Sequence, residues 1–310
     1  MRLAFSQQTI DTVLALVPID DTMFQKMCED KAARQEMIST FLEDAVTVIE
    51  VVPQDSVMNL QGRSVRLDCL CRLSDGSYVL AEVQKADDDD HEERVRYNAS
   101  VVTANKTPKS VKFRDVARII SIFISRFDIF GDGLPIYHVD RVVRETQKIR
   151  KNGLTEIYVN AAVKKRDNAL NANVSDLMAL FTDRDSLDYG KFPEFSRRKN
   201  AFTNTEEGVT EMCEKVEKLF NSRLQQAKLN DLFGYVVRGS MAFEIAAKEA
   251  NLPPAEFAAQ MRQNGYAIPP DCRPGTGRSL TQQPAEQRSE RSRITRSEGR
   301  SVGFFQYNFR

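Results

Sequence analysis

Apolar and polar positions alternate in two short segments of the first half of the chain. VRLDCLCRL (65–73) and YVLAEVQ (78–84) have the period-two pattern of strands, and Ser74-Asp75-Gly76 between them is typical of a turn. VARIISIFISRF (116–127) is instead a continuous apolar, β-branched run, which indicates a strand buried on both faces. We therefore expect a hairpin followed by a central strand.

Helical spacing of apolar residues predicts one helix over 22–50, closed by Pro53, and another at about 91–104 with Asp90 as its N-cap. From about residue 174 onward helical periods dominate. A helix, Asn251-Leu252-Pro253-Pro254 and a second helix have the outline of a helix-turn-helix, which is either a packed hairpin or a DNA-reading element.

This order predicts an α/β fold in three parts. Residues 1–168 form a core of strands and helices, 169–268 a helical region, and 269–310 a disordered tail. The tail is rich in Pro, Gly, Ser and Gln, and within 271–310 it carries eight arginines against four acidic residues.

Charge and composition limit the class of protein and the kind of metal site that the sequence can form. The 310 residues include 44 basic and 44 acidic side chains, and no apolar stretch reaches the length of about 20 residues that a membrane span requires. Five scattered cysteines and two histidines do not supply a zinc site, and reduced thiols favour a cytoplasmic location. Any bound metal should therefore be a hard cation on oxygen ligands, which points to magnesium or manganese.

The second strand of the hairpin has polar groups on one face. Residues i and i+2 of a strand share a face, so Glu82 and Gln84 project together with Leu80 and Tyr78. A solvent-exposed face explains this pattern, and so does a functional site.

The length of the turn decides where Asp68 lies. With a three-residue loop and Gly76 in a left-handed conformation, Leu73 pairs with Ser77 and Asp68 sits opposite Glu82. With a two-residue loop, Asp68 would face Val83 and the two carboxylates would lie on opposite faces. Only the first register creates a site.

In that register two carboxylates lie about 5 Å apart between their Cβ atoms, and this repulsion requires a positive partner. A divalent cation would convert the repulsion into coordination and would activate water for phosphodiester hydrolysis. Arg66, on the same face as Asp68, could instead form an ordinary ion pair with Glu82. The sequence leaves both alternatives open.

Five short motifs in order resemble the PD-(D/E)xK nuclease family transposases, which include the recombination-promoting nucleases. The likeness extends over roughly 18–265 and includes the downstream segments IISIFISRFDIF (119–130), EIYVNA (156–161) and DLMALF. The motifs are Asp21-x-x-Phe24, Arg66-Leu67-Asp68, Asp75-Gly76, Glu82-x-Gln84 and Arg94-x-x-Tyr97.

The resemblance implies a restriction-endonuclease-like core, a mixed sheet flanked by helices, and cleavage of DNA with Mg²⁺ or Mn²⁺. Asp68, Glu82 and the main-chain carbonyl of Val83 would bind the metal, and Asp21 would complete its shell. Gln84 would occupy the place of the signature lysine. Arg94 and Tyr97 would lie on the helix that lines the site, where a guanidinium suits a phosphate.

Two departures from the family pattern bear on activity. Gln84 stands where the signature of the wider fold has lysine, and glutamine is common at this position in the family, so the change does not exclude activity. A neutral amide nevertheless does not stabilise developing negative charge as an ammonium does. The family also has a lysine directly after phenylalanine, whereas this chain has Phe24-Gln25-Lys26. An alternative function is therefore a weak or inactive nuclease fold that binds DNA or protein.

Two surfaces would serve partners. Two sets of basic residues are candidates for binding DNA. The first consists of Arg94, Arg96, Lys106, Lys109, Lys112 and Arg114, and the second is Lys164-Lys165-Arg166. The charged stretch 206–230 is a candidate for self-association into a homodimer, which would suit cleavage of both strands of a duplex.

Overall fold

The computed structural model describes residues 5–52, 67–88, 90–163 and 171–269. Several sequence predictions fall outside these ranges and are not tested. They are the helix end at Pro53, the ion pair of Arg66, the basic stripe 164–166 and the tail from 270 onward.

The described chain alternates helices and strands up to residue 160 and is helical thereafter. The helices are α1 (Gln7–Leu14), α2 (Asp21–Glu29), α3 (Lys31–Phe41), α4 (His91–Lys106), α5 (Ala172–Thr182), α6 (Pro193–Asn204), α7 (Glu206–Val237), α8 (Phe243–Glu249) and α9 (Pro254–Gln263). The strands are β1 (Val48–Val51), β2 (Cys69–Leu73), β3 (Tyr78–Gln84), β4 (Ile119–Ser125), β5 (Ile136–Val139), β6 (Val142–Val143), β7 (Lys148–Ile149) and β8 (Leu154–Asn160).

Six strands form one mixed sheet in the order β1-β2-β3-β4-β8-β5. The three central strands β3, β4 and β8 are parallel, and the outer pairings are antiparallel. β6 and β7 form a separate two-stranded ribbon. The expected mixed sheet flanked by helices is confirmed, and β4 is the central buried strand that the apolar run predicted.

The sheet is covered on both faces. Val79, Ala81 and Val83 of β3 pack into the larger core with α2, α3, α5 and α6, whereas Leu80 packs on the other side against Ala99 and Val102 of α4. The interpretation of the second face as a solvent face is therefore wrong, since α4 shields it from water.

The β2–β3 hairpin has the register that brings the carboxylates together. Cys69 pairs with Ala81, and the Leu73 amide donates to the Ser77 carbonyl at 2.8 Å. The loop is three residues long, and Gly76 has a φ of 85°, a left-handed conformation that glycine adopts without strain. Cys69 and Cys71 are buried in the larger core, as the alternation predicts.

Two helix predictions need correction. The segment expected as a single helix over 22–50 instead contains two helices that end at Phe41, followed by strand β1 from Val48. The two helices are separate because the Asp30 carboxylate accepts the Ala32 and Ala33 amides and starts α3 as its N-cap. Asp90 does precede α4, but its side chain makes no capping hydrogen bond there. It accepts instead from the Arg94 guanidinium at 3.3 Å.

The C-terminal helices divide between two packing environments. α5, α6 and the first turns of α7 pack on the larger core, and α8 and α9 pack on the last turns of α7 through Phe233, Phe243 and Phe257. The helix-turn-helix outline is therefore a packed pair of helices, and whether this pair reads DNA is not tested. Among the described residues, no helix combines the length and the apolar character that crossing a bilayer requires.

We expect the turn glycine to be important for stability. Replacing Gly76 by Val should lower the free energy of unfolding by about 1–2 kcal/mol, because a β-branched residue strongly resists a left-handed φ. Gly76→Asn should cost clearly less, since asparagine tolerates that conformation. Urea unfolding of the two variants and the parent chain tests this, and equal stabilities for Val and Asn would contradict it.

Candidate metal and phosphate site

Two carboxylates meet where the hairpin strands end. Since Cys69 pairs with Ala81, the next position outward places Asp68 opposite Glu82 on the face toward α4. The Val83 amide donates to Asp68 Oδ2 at 3.2 Å, which ties this side chain to the neighbouring strand. The sequence prediction that Asp68 and Glu82 lie together is consistent with this geometry.

Glu82 is held in a nearly dry environment beneath α4. It is 7% exposed, and its Oε1 accepts a hydrogen bond from the Asn98 amide at 2.6 Å. Burial, together with the neighbouring charge of Asp68, raises the pKa of Glu82 to about 8. The Asn98 hydrogen bond and the Arg94 charge act in the opposite direction and favour the ionised form.

Asp68 is oriented by a residue of α2. The buried Gln25 side chain donates from Nε2 to Asp68 Oδ1 at 3.0 Å. Gln25 directly follows Phe24, so it occupies the position where the resembling family has lysine. Lys26 turns away from the carboxylates and pairs with Glu211 at 2.7 Å and with Glu29.

The Val83 main chain also faces the carboxylates. In an antiparallel pair, every second residue of a strand directs both its N–H and its C=O toward the neighbouring strand. The Ser77 carbonyl, just before β3, accepts from the Leu73 amide of β2, so the odd-numbered residues of β3 are the ones that face β2. The Val83 amide follows this pattern in binding Asp68, so the Val83 carbonyl lies on the same side of β3. A third oxygen is therefore available beside the two carboxylates.

Gln84 binds a loop and an arginine in the position of the signature lysine. Its Nε2 donates to the Ala86 carbonyl and to Asp88 Oδ2, both at 2.9 Å, and its Oε1 accepts from Arg94 Nη1 at 2.9 Å. The Arg94 guanidinium also lies 3.7 Å from Asp88 and 3.3 Å from Asp90. Arg94 is thus at the site edge, paired with the acidic loop.

Lys85 follows Gln84 in the chain but points to α2. Its Nζ pairs with Asp20 Oδ1 at 2.5 Å, on the opposite face of β3 from Glu82. Neither Lys26 nor Lys85 therefore substitutes for the lysine that the family pattern has at the site.

Two predicted site residues are not joined to the carboxylates by any described contact. The exposed Asp21 accepts from the amide and hydroxyl of its neighbour Thr22 and lies one helical turn before Gln25. Tyr97 is 37% exposed on α4. Their roles in metal and substrate binding stay predictions.

Asn98 and Gln25 are the residues that sequence reasoning missed. Asn98 lies four positions after Arg94, so a helix projects both to one side. That spacing was a usable signal for Asn98 once Arg94 had been identified. Gln25 was recognised only as a departure, and its bond to Asp68 depends on how α2 packs against the hairpin.

The donor set fits a hard divalent cation. Two carboxylates and the Val83 carbonyl are oxygen ligands of the kind that Mg²⁺ and Mn²⁺ prefer, with water supplying the remaining positions. Glu82 is buried opposite the half-buried Asp68, and a cation bound between these two carboxylates would stabilise their ionised forms. Within the described ranges, no group of three or more His, Cys, Asp or Glu side chains is arranged to hold a metal, and a contribution from Asp21 stays a prediction.

Comparison with known families agrees with this geometry. The family model described as PD-(D/E)XK nuclease family transposase matches residues 20–228, which is most of the chain. The protein therefore belongs to the PD-(D/E)XK nuclease family transposases. Searches of curated proteins and of solved structures returned no match.

The buried Glu82 should make stability depend on pH. A carboxyl whose pKa is raised in the folded state stabilises the fold below its unfolded pKa and loses this effect as pH rises toward about 8. In EDTA, the parent's free energy of unfolding should therefore fall between about pH 5 and pH 8.5. Each unit of difference between the folded and unfolded pKa values of Glu82 changes the free energy of unfolding by about 1.4 kcal/mol.

The Glu82→Gln variant, which keeps an acceptor for Asn98, should show a flatter pH profile in the same urea titrations. Glu244→Gln on the exposed face of α8 serves as the control and should behave like the parent chain. Identical pH profiles for the parent and Glu82→Gln would contradict a buried, proton-binding Glu82.

Proposed function

We propose that this protein is a divalent-metal-dependent DNA endonuclease of the transposase type, with Mg²⁺ or Mn²⁺ as its cofactor. The observation that carries this proposal is the opposition of Asp68 and Glu82 across the hairpin, with the Val83 backbone between them. Membership of a nuclease family of transposases supports the same reaction class and supports DNA as the substrate.

The chain's own residues divide the work of holding the site. Asp68, Glu82 and the Val83 carbonyl would hold the cation, while Gln25 and Asn98 orient the two carboxylates by donating to one oxygen of each. A bound divalent cation supplies Lewis-acid polarisation of a phosphoryl oxygen and a more acidic water. These amides position the carboxylates without neutralising their charge.

Arg94 is the residue suited to a scissile phosphate. Its planar guanidinium can donate two parallel hydrogen bonds to phosphate oxygens, and it lies within reach of Gln84 beside Glu82. DNA would have to replace Asp88 and Asp90 as its partners. Gln84 would then orient water or substrate through neutral hydrogen bonds.

Removing either carboxylate should abolish cleavage. Asp68→Asn and Glu82→Gln are expected to lose magnesium-dependent nicking of supercoiled DNA, because each substitution removes one of two anionic ligands. Asp231→Asn on exposed α7 should retain parental activity. Circular dichroism establishes that the variants are folded, and full nicking by both site variants would refute the proposed chemistry.

An alternative function is a catalytically weak nuclease fold that binds DNA or a protein partner. The specific observation in its favour is the absence of a described lysine at the site, since Lys26 pairs with Glu211 and Lys85 with Asp20. Among the described residues, the cation beside Glu82 is Arg94, and its guanidinium is already paired with Asp90.

Metal binding separates the two functions. Isothermal calorimetry with Mn²⁺ should detect binding by the parent, and Asn98→Ala and Gln25→Ala should weaken it by about 10- to 100-fold, as loss of a ligand-orienting group typically does. Asn105→Ala, on the exposed side of the same helix as Asn98, should leave the affinity unchanged.

No heat of binding at millimolar Mn²⁺ in a folded parent chain would favour the binding-module alternative. Equal affinities for Asn98→Ala and the parent would show instead that the metal lies elsewhere.

Two further parts of the proposal concern the whole protein. The homodimer stays a prediction, and the exposed Phe220 and Leu224, one turn apart on α7, are its natural contact residues. A cytoplasmic location is likewise proposed, with Cys28, Cys69, Cys71 and Cys213 present as free thiols.

A further inference from the structure

A loop far from the carboxylates presents a fully exposed aromatic ring. Phe113 is 97% exposed and lies in a short 3-10 turn, Phe113–Asp115, between α4 and β4. Exposed cations flank it at Lys109, Lys112 and Arg114. None of these three joins an ion pair within the described part of the chain, so their charges are available to a partner.

The β6–β7 ribbon provides a second basic feature. Its two antiparallel strands pair Val142 with Ile149, and both of these apolar side chains are more than half exposed. Five exposed cations surround them against two acidic residues, Asp140 and Glu145. They are Arg141, Arg144, Lys148, Arg150 and Lys151.

The loop and the ribbon emerge at the same end of the sheet. The Ile119 amide, at the start of β4, donates to the carbonyl of Gly153, which precedes β8, at 2.8 Å. Arg118 lies against Gly153 and so joins the end of the loop to the end of the ribbon. We call this region, residues 107–118 with 140–153, the basic end.

The basic end lies opposite the carboxylates. β3 and β4 are parallel, with Tyr78 level with Ile119 and Gln84 level with Ser125. The six-residue separation along β3 corresponds to about 20 Å. A duplex contacting both regions would span about six base pairs between them, at about 3.4 Å for each.

We propose that the basic end is a second DNA-binding surface, separate from the metal site, where Phe113 stacks on a base and the β6–β7 ribbon enters a groove. A two-stranded ribbon has the dimensions of the major groove, and exposed cations gain affinity from phosphates by releasing counterions. An exposed aromatic ring among cations suits base stacking. The choice of DNA as partner rests on the proposed function.

Tryptophan substitution gives a direct probe, because the chain contains no tryptophan. In EDTA, Phe113→Trp fluorescence should be quenched on adding a duplex of about 20 base pairs, or single-stranded DNA if the ring stacks on unpaired bases. Tyr189→Trp, at an exposed ring between α5 and α6, is the matched control and should not respond. Quenching of the Phe113→Trp signal by DNA but not by heparin, a polyanion without bases, supports stacking.

Affinity measurements test the same surface without a new fluorophore. Phe113→Ala should weaken duplex binding by about tenfold in anisotropy titrations. The double variant Lys148→Ala/Arg150→Ala should weaken duplex binding by about fivefold for each lost phosphate contact near 0.15 M salt. It should also reduce the slope of log affinity against log salt concentration by about 1.8. Lys218→Ala combined with Lys228→Ala on α7 removes equal charge and should have no such effect.

Several outcomes would overturn the proposal. Parental affinity and salt slope in the ribbon variant, or no DNA response from Phe113→Trp, would exclude DNA at this end. An equal response to heparin would exclude base stacking, and a blue shift with anionic phosphatidylserine vesicles but not with DNA would identify a membrane partner. Because EDTA prevents cleavage, these results remain distinguishable from failure of the nuclease tests.

Discussion

The opposition of two carboxylates across a three-residue turn is the interaction on which the rest of the site depends. Gly76 fixes the loop length, the loop length fixes the register, and the register places Asp68 opposite Glu82. A shift of one residue would send one of them to the opposite face. Since α4 shields this face from water, Glu82 is buried beside the Asp68 carboxylate, and burial, together with the charge of Asp68, raises the pKa of Glu82.

The side chains that hold the two carboxylates are amides. Gln25 and Asn98 each donate to one carboxylate, and Gln84 connects Arg94 to the acidic loop. An amide orients a carboxylate but leaves its charge intact, so Gln25 and Asn98 do not compete with an incoming cation, whereas the positive charge of Arg94 acts on Glu82. Because position 84 is a glutamine and not a lysine, no ammonium group at that position can stabilise negative charge that develops on a phosphate. Among the described side chains, Arg94 is the one placed to do so.

The sequence predicted what depends on local rules and missed what depends on tertiary packing. Alternation and turn chemistry were sufficient for the hairpin, and the apolar run was sufficient for β4. The break at Asp30 was hidden because apolar spacing continues through it. The bond from Gln25 to Asp68 spans 43 positions of the chain, and no local pattern encodes how α2 docks on the hairpin.

Net neutrality conceals a separation of charge along the sheet. Carboxylates gather where β3 ends, at Asp68, Glu82, Asp88 and Asp90, whereas exposed cations gather where β4 and β8 begin. A surface rich in carboxylates attracts a divalent cation and repels phosphates, so it cannot by itself recruit DNA. Cations placed elsewhere on the same rigid sheet can supply that attraction without competing for the metal ligands. A chain of zero net charge can thereby carry an acidic and a basic surface, because the two ends of β3 lie about 20 Å apart.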